Sequence, residues 1–302
     1  MESIRSYKQL VDVLKTANER KRVVLVCPSD EHSQYVVERC LKEELADFIL
    51  VVETKFLERA ENMCRIAPGH VEIIEVESPE EASAKGVSLI HEGKGDVLMK
   101  GLVSTDVILR AVLNKEYGLL PKGRVMSHLT VAETPFYHKL LFFSDVAVIP
   151  HPTLDQFDAM VRYDVEICRK LGIMKPRVAL IHFTEKVNPK FQHTLDYEEL
   201  KKRAAEGAYG DVILDGPMDV KSACDLESCK DKGIDTPIAG QADVVIFPNI
   251  ESGNTFYKTM SLFGKSVNAG ILCGTTVPVI ITSRADTGLS KYYSLALACK
   301  VS

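Results

Sequence analysis

No stretch of about 18 consecutive apolar residues occurs in this chain, so it has no segment of the length that a helical membrane span requires. The apolar runs near Val244 and Gly270 are broken by Pro, Gly and polar residues. The opening Met1-Glu2-Ser3-Ile4-Arg5 lacks the apolar stretch of a secretory signal, and a cytoplasmic protein is expected. Positive charge is not in excess. Lys and Arg number 37 against 42 Asp and Glu, a net charge of −5, which lends no support to nucleic-acid binding. Cys-x-x-Cys and His-Glu-x-x-His are absent, and of the eight Cys only Cys224 and Cys229 are near neighbours. The cysteines read as reduced thiols used as small hydrophobes, and no structural metal is expected.

Three more absences narrow the chemistry. No Gly-x-Gly-x-x-Gly follows the first predicted strand, which argues against a nicotinamide cofactor. Gly264-Lys265-Ser266 has the form of a P-loop tail, but Thr259 stands where that loop needs Gly. The segment before it also reads as helix, so a turn is the better reading. Gly-x-Ser-x-Gly, the nucleophile elbow, does not occur.

What the chain does have is a steady alternation of strand and helix. Its 302 residues suffice for two compact domains or one large one. Apolar, β-branched runs predict strands at 22–27, 48–52, 71–76 and 96–99, then at 140–149, 177–182, 211–214, 243–247, 270–273 and 277–282. Helices are predicted at 4–17, 31–44, 79–92, 105–114, 154–171, 196–206, 251–263 and 288–299. Such alternation implies an α/β fold with parallel-rich sheets covered by helices on both faces. Pro150-His151-Pro152 is a candidate crossing point between two domains, because X-Pro disfavours helix.

Two segments carry the chemistry. The predicted strand at 277–282 runs into Ser283-Arg284-Ala285-Asp286 and a following helix. A hydroxyl, a guanidinium and a carboxylate thus stand at a strand's carboxyl end, where open α/β sheets bind ligands. A helix start favours anions, and Arg offers a fork of donors matched to phosphate or carboxylate. The site predicted here is for an anionic small molecule. The second segment, Pro248-Asn249-Ile250-Glu251-Ser252-Gly253-Asn254-Thr255-Phe256-Tyr257-Lys258, also follows a predicted strand. Gly253 permits close backbone approach, and Asn254 and Lys258 lie four apart on one helix face.

Together these segments resemble the phosphate acetyl/butyryltransferase family. The resemblance extends to Lys100-Gly101-Leu102-Val103-Ser104-Thr105, Ser144-Asp145-Val146-Ala147-Val148 and Gly216-Pro217. Glu185-Lys186-Val187-Asn188-Pro189-Lys190, Pro237 to Asp243, and Ser127-His128 favour the butyryl branch. The likeness runs from about Asp96 to the C-terminus; the first 95 residues agree only in their alternating pattern.

The resemblance implies two α/β domains in the isocitrate/isopropylmalate dehydrogenase-like arrangement, residues 1–145 with 286–302 and residues 146–285, and substrates in the cleft between them. The implied activity is transfer of a short-chain acyl group, butyryl foremost, between coenzyme A and inorganic phosphate. No cofactor is implied, and a homo-oligomer is. Ser283 matches the family serine that donates to the oxyanion, and Arg284 the arginine that positions phosphate. Ser104, Thr105, Gly253, Asn254 and Lys258 are the candidate substrate-binding residues, with Arg110 a second anion-binding candidate and Arg124 a weaker third. Acetyl-type enzymes carry an Asp seven residues after the motif serine, where this chain has Ser290. Asp286 either substitutes for it or caps the helix; His128 is an alternative acid or base, having an ordinary pKa near neutrality. Lys221 is a further departure, standing where the butyryl branch has Asp. The alternatives are an acetyl or propionyl transferase and a non-catalytic acyl-CoA-binding relative. A dehydrogenase or decarboxylase of the same fold would need a carboxylate metal cluster and a nucleotide site, and neither pattern is present.

Overall fold

Near-continuous apolar runs such as Val23–Val26 and Phe48–Val52 are buried on both faces, as the inner strands of a parallel sheet must be. The computed structural model describes residues 2–17, 19–282 and 286–302, and it divides into two units. The first comprises Tyr7–Arg124 and Ala269–Ser302. Its elements are α1 (Tyr7–Ala17), β1 (Lys21–Val26), α2 (Glu31–Lys42), β2 (Ala46–Glu53), α3 (Leu57–Cys64), β3 (Val71–Val76), α4 (Pro79–His91), β4 (Val97–Lys100) and α5 (Thr105–Val112). The second comprises Met1–Ser6 and Val125–Asn268. It holds β5 (Ser127–Glu133), β6 (Leu141–Ser144), α6 (Leu154–Lys170), β7 (Arg177–Ile181), α7 (Gln192–Ala205), β8 (Ile213–Met218), α8 (Val220–Cys224), α9 (Leu226–Lys232), β9 (Val244–Ile246) and α10 (Ile250–Leu262). The chain re-enters the first unit along β10 (Val267–Cys273), then adds β11 (Val279–Ile280) and α11 (Gly288–Val301).

In the first unit the strand order is β3-β2-β1-β4-β11-β10, all parallel except β10. The order reverses between β1 and β4, which makes the carboxyl ends of those two strands the topological switch point. Helix α11 packs on α1 and α2, and the stacked rings of Tyr7 and Tyr293 lie 4.2 Å apart. In the second unit the order is β5-β6-β9-β7-β8, with only β5 antiparallel. Its core gathers Leu141, Phe143, Ile181, Met218, Val245 and Phe247.

Several expectations need correction. The first unit ends at Arg124 rather than at residue 145, because β5 and β6 pair with each other and belong to the second unit. Pro150-His151-Pro152 lies inside that unit, where the Pro150 carbonyl accepts from Ile250 N–H at 3.0 Å. Strand β5 was not predicted, since Ser127-His128-Leu129-Thr130 mixes polar and apolar residues that are all buried. The long strand read at 140–149 is only the four residues of β6 followed by a loop. The short helices α3, α8 and α9 were also missed.

Candidate functional site

In each unit, candidate residues stand at the carboxyl ends of the strands. In the first unit β4 and β11 lie side by side in parallel, with Ile280 opposite Met99. The buried Lys100 side chain closes this edge, its Nζ donating to the carbonyls of Gly101 at 3.3 Å and Thr282 at 3.5 Å. Gly101 must be glycine for lack of space, since a Cβ there would stand 2.3 Å from the Cys27 carbonyl oxygen at the end of β1. That close approach brings the chain from β4 directly onto the switch point. Helix α5 then starts with Ser104 as its N-cap, accepting from Val107 N–H, and with Thr105 as its first residue. Both side chains are exposed, and the positive end of a helix dipole lies behind them. Arg110 is exposed too but falls in the last turn of α5, about 9 Å along the axis from Ser104. The dipole therefore does not aid anion binding at Arg110. Arg124 is exposed at the end of a turn closed by its N–H to Pro121 O.

Ser283 and Arg284 lie outside the described residues. The segment before them ends in Thr282, whose buried hydroxyl has no hydrogen-bond partner among the described residues. After them Asp286 is half-buried, and Thr287, not Asp286, caps α11 by accepting from Ser290 N–H at 3.2 Å. The capping reading of Asp286 is thereby corrected. Ser290 itself is spent on that cap, its hydroxyl 3.3 Å from Thr287 Oγ1.

Sequence reasoning missed the ion pair that holds α11 at this edge. Lys291 Nζ reaches Asp30 Oδ1 at 2.9 Å, and Asp30 is the N-cap of α2 just past β1. Burial works against ionisation of Asp30, but bonds from Ser33 and the Lys291 ammonium outweigh it and hold its carboxyl below the usual range. Nothing in the spacing of residues 30 and 291 signals this contact.

In the second unit the corresponding edge is built on Asp145, which follows β6 through a cis peptide. Its Oδ2 accepts from His128 N–H at 2.7 Å, and its Oδ1 accepts from the N–H groups of Ala147 and Val148 at 2.7 and 2.8 Å. One carboxylate thus pins the first turn of the loop to β5. The His128 ring is buried, with Nδ1 3.4 Å from Thr130 Oγ1. Helix α10 is capped by Asn249 and lies against the same loop. A Cβ on Gly253 would stand 2.1 Å from the Asp145 carbonyl oxygen, so only glycine lets the helix approach this far. One residue on, Asn254 Nδ2 donates to Val146 O at 2.9 Å. Lys258 lies one turn further along, exposed, its ammonium 4.6 Å from the Tyr257 ring centroid.

The structure therefore brings Ser104 and Thr105 to one edge with Thr282 and Asp286 of the same unit. It brings His128, Gly253 and Asn254 to one edge of the other. Both edges offer backbone N–H groups, hydroxyls and amides, an assortment suited to anions and carbonyl oxygens. Among the described residues no cluster of three or more His, Cys, Asp or Glu could hold a metal.

Comparison with known proteins bears on the family and the fold. The family model of phosphate acetyl/butaryl transferase matches residues 76–299. A phosphate butyryltransferase of Clostridium acetobutylicum is 38% identical over 298 residues, covering 99% of this chain and 98% of that protein. A phosphate acetyltransferase of Thermotoga maritima is 32% identical over 278 residues, covering 92% and 94% respectively. Among solved structures, a branched-chain phosphotransacylase from Enterococcus faecalis V583 superposes with a TM-score of 0.80 at 27% identity, covering 93% of this chain and 98% of that one.

Proposed function

Because the chain belongs to the phosphate acetyl/butyryl transferase family, we propose that it transfers a short-chain acyl group, most readily butyryl, between coenzyme A and inorganic phosphate. The observation that carries this reading is the near full-length identity to phosphate butyryltransferases. In the direction of acyl phosphate, a phosphate oxygen attacks the thioester carbonyl carbon. A tetrahedral oxyanion forms, the carbon–sulfur bond breaks, and the thiolate leaves and takes up a proton. No electrons are gained or lost, so the step as written calls for no redox cofactor.

Ser283 is assigned the hydrogen bond to the oxyanion, where one donor is worth about 3 kcal/mol. Arg284 holds the attacking phosphate by paired N–H donors, and fixing a divalent anion against the carbonyl supplies the entropic share of the rate. Ser104 and Thr105 at the start of α5, and Gly253, Asn254 and Lys258 on α10, are assigned to substrate binding. Arg110 is kept as a weaker anion contact. Asp286 is the first candidate for the proton on sulfur, since Thr287 and not Asp286 caps the helix; His128 is the second. The isocitrate/isopropylmalate dehydrogenase-like class, a homo-oligomeric state and a cytoplasmic location belong to the same proposal. Among the described residues no helix is long and apolar enough to cross a membrane.

A second reading, acetyl or propionyl transfer, is favoured by the 32% identity to a phosphate acetyltransferase. One or two methylenes separate the two, worth about 1–3 kcal/mol each in an apolar pocket. The deciding assay is phosphate-dependent thiol release from acetyl-, propionyl-, butyryl- and isobutyryl-CoA. The expected outcome is release fastest with a four-carbon thioester, about 100-fold slower or worse in Ser283→Ala and Arg284→Ala. Faster release from acetyl-CoA would establish the second reading. Release from none of the four would point to a binding protein of the same fold.

A further inference from the structure

The amino-terminal ends of β6, β9 and β7 in the second unit border a cavity of about 370 Å³ that no part of the transfer chemistry uses. Its lining is rich in cations: Arg5, Lys139, Lys175 and Arg177 all contribute, together with His138. The acidic lining residue is Asp243, and it is engaged. Its Oδ1 pairs with the Lys139 ammonium, and its Oδ2 accepts from Arg177 N–H at 2.8 Å. Lys139 and Asp243 thus form a neutral pair. The Arg177 guanidinium is held instead by the carbonyls of Pro237 and Ile238, which orient it without cancelling its charge. Arg5 arrives on the segment that Ile4 ties down by donating to Leu171 O at 2.9 Å. Lys175 stands at the rim, where Asp211 shares it in an exposed pair.

From this arrangement we infer that the cavity is a binding site for a small multivalent oxyanion, one carrying two or more phosphate or carboxylate groups. Several points argue for that ligand class. The volume falls within the range of small-molecule sites. Cations held by backbone carbonyls meet an anion with little loss of side-chain entropy, because they are already in place. Phe, Tyr and Trp are absent from the lining, so no flat hydrophobic face is offered to a nucleobase. The position also separates the cavity from the reaction. Leu140 at the cavity and Asp145 at the opposite edge flank the four residues of β6, so about 16 Å of extended chain separates them. An anion seated here would neutralise the amino-terminal edge of the sheet without competing for the phosphate that reacts.

The test is calorimetric titration of the full chain with pyrophosphate and, separately, with citrate. The comparison set is wild type, Arg5→Glu, Lys175→Glu and Arg284→Ala. Both glutamate substitutions fall at exposed positions, and a thermal melt of each confirms folding. The expected result is a site present in wild type and kept in Arg284→Ala, with affinity lowered about tenfold or more by either charge reversal. It also includes weakening as salt is raised. Binding of pyrophosphate alone would identify a phosphate-bearing ligand, and binding of citrate alone a polycarboxylate. Absence of binding to wild type would overturn the inference. So would affinity untouched by both charge reversals, or affinity lost in Arg284→Ala, which would place the anion at the catalytic edge.

Discussion

Gly253 shows how much a single side chain decides in this protein. A methyl group there would meet the Asp145 carbonyl oxygen at 2.1 Å, and that oxygen is backbone held between β6 and the bonds of the Asp145 carboxylate. Neither side can yield cheaply. Gly253→Ala is expected to cost about 1–3 kcal/mol, as overpacking does, and to lower acyl transfer by shifting α10; melting curves and the thiol-release assay read the two effects. Asp164 is a second residue with a measurable signature. It is fully buried, and burial pushes its carboxyl up to about 8, with the bond from Ser144 opposing and Asp145 adding to the rise. Its folded pKa lies above that of an unfolded chain, so the folded protein binds the extra proton between about pH 4 and about pH 8. Stability from this group is full below that window and is lost as pH rises through it. Asp164→Asn, neutral throughout, is expected to reduce the fall in Tm between about pH 5 and about pH 8.5. An identical fall in the two proteins would refute the assignment.

Among the elements, six helices start at side-chain caps that the sequence offers, whereas α1 and α7 start at Tyr7 and Gln192 rather than at residues 4 and 196. Asp30, Ser78, Ser104, Thr153, Asn249 and Thr287 each accept from a backbone N–H in the first turn, and Thr153 with Gln156 completes a capping box. These signals are local, so they are legible without a fold. The docking of one helix on another is not. Glu43, at the end of α2, accepts from Arg39 Nε at 2.8 Å and Tyr292 OH at 2.8 Å, and pairs with Lys15 at 2.9 Å. The Arg39 guanidinium lies 3.8 Å from the centroid of the Tyr292 ring. Burial disfavours the Glu43 carboxylate, yet bonds from Arg39, Lys15 and Tyr292 outweigh it and bring its pKa down to about 2. A depressed pKa stabilises above the unfolded value, and that share is lost as pH falls from about 4.3 to about 2. Glu43→Gln is therefore expected to lower Tm at neutral pH by several degrees and to flatten the acid limb. Retention of the wild-type limb would remove Glu43 from that role.

Across the whole molecule, the cysteines behave as the composition suggests. Six are buried, and Cys64 and Cys224 are partly exposed. Burial raises the thiols of Cys27, Cys40, Cys64, Cys168, Cys224, Cys229 and Cys299 above their ordinary range, Cys27, Cys224 and Cys299 to about 12. A buried thiol with so little thiolate is a poor nucleophile. Native protein is thus expected to react with a disulfide reagent at no more than the two partly exposed thiols, against all eight after denaturation. Rapid reaction of more than two in the native state would show that the packing opens readily. The outcome also sets the background for any assay that counts released coenzyme A thiol.

The sequence alone determined the α/β class, most strands and helices, the family, and the two segments that bear the candidate site. Those properties reside in apolar periodicity, in caps within one helical turn, and in short runs of neighbouring residues, all local in the chain. The fate of Ser127–Glu133 was not local. Its polar residues look solvent-facing until β6 and Asp145 supply their partners, and this strand carries residues 125–145 into the second unit. Likewise the pairing of Lys291 with Asp30 joins positions 261 residues apart. Only the tertiary structure could decide such contacts, because burial turns an isolated charge into a cost that a distant partner must offset.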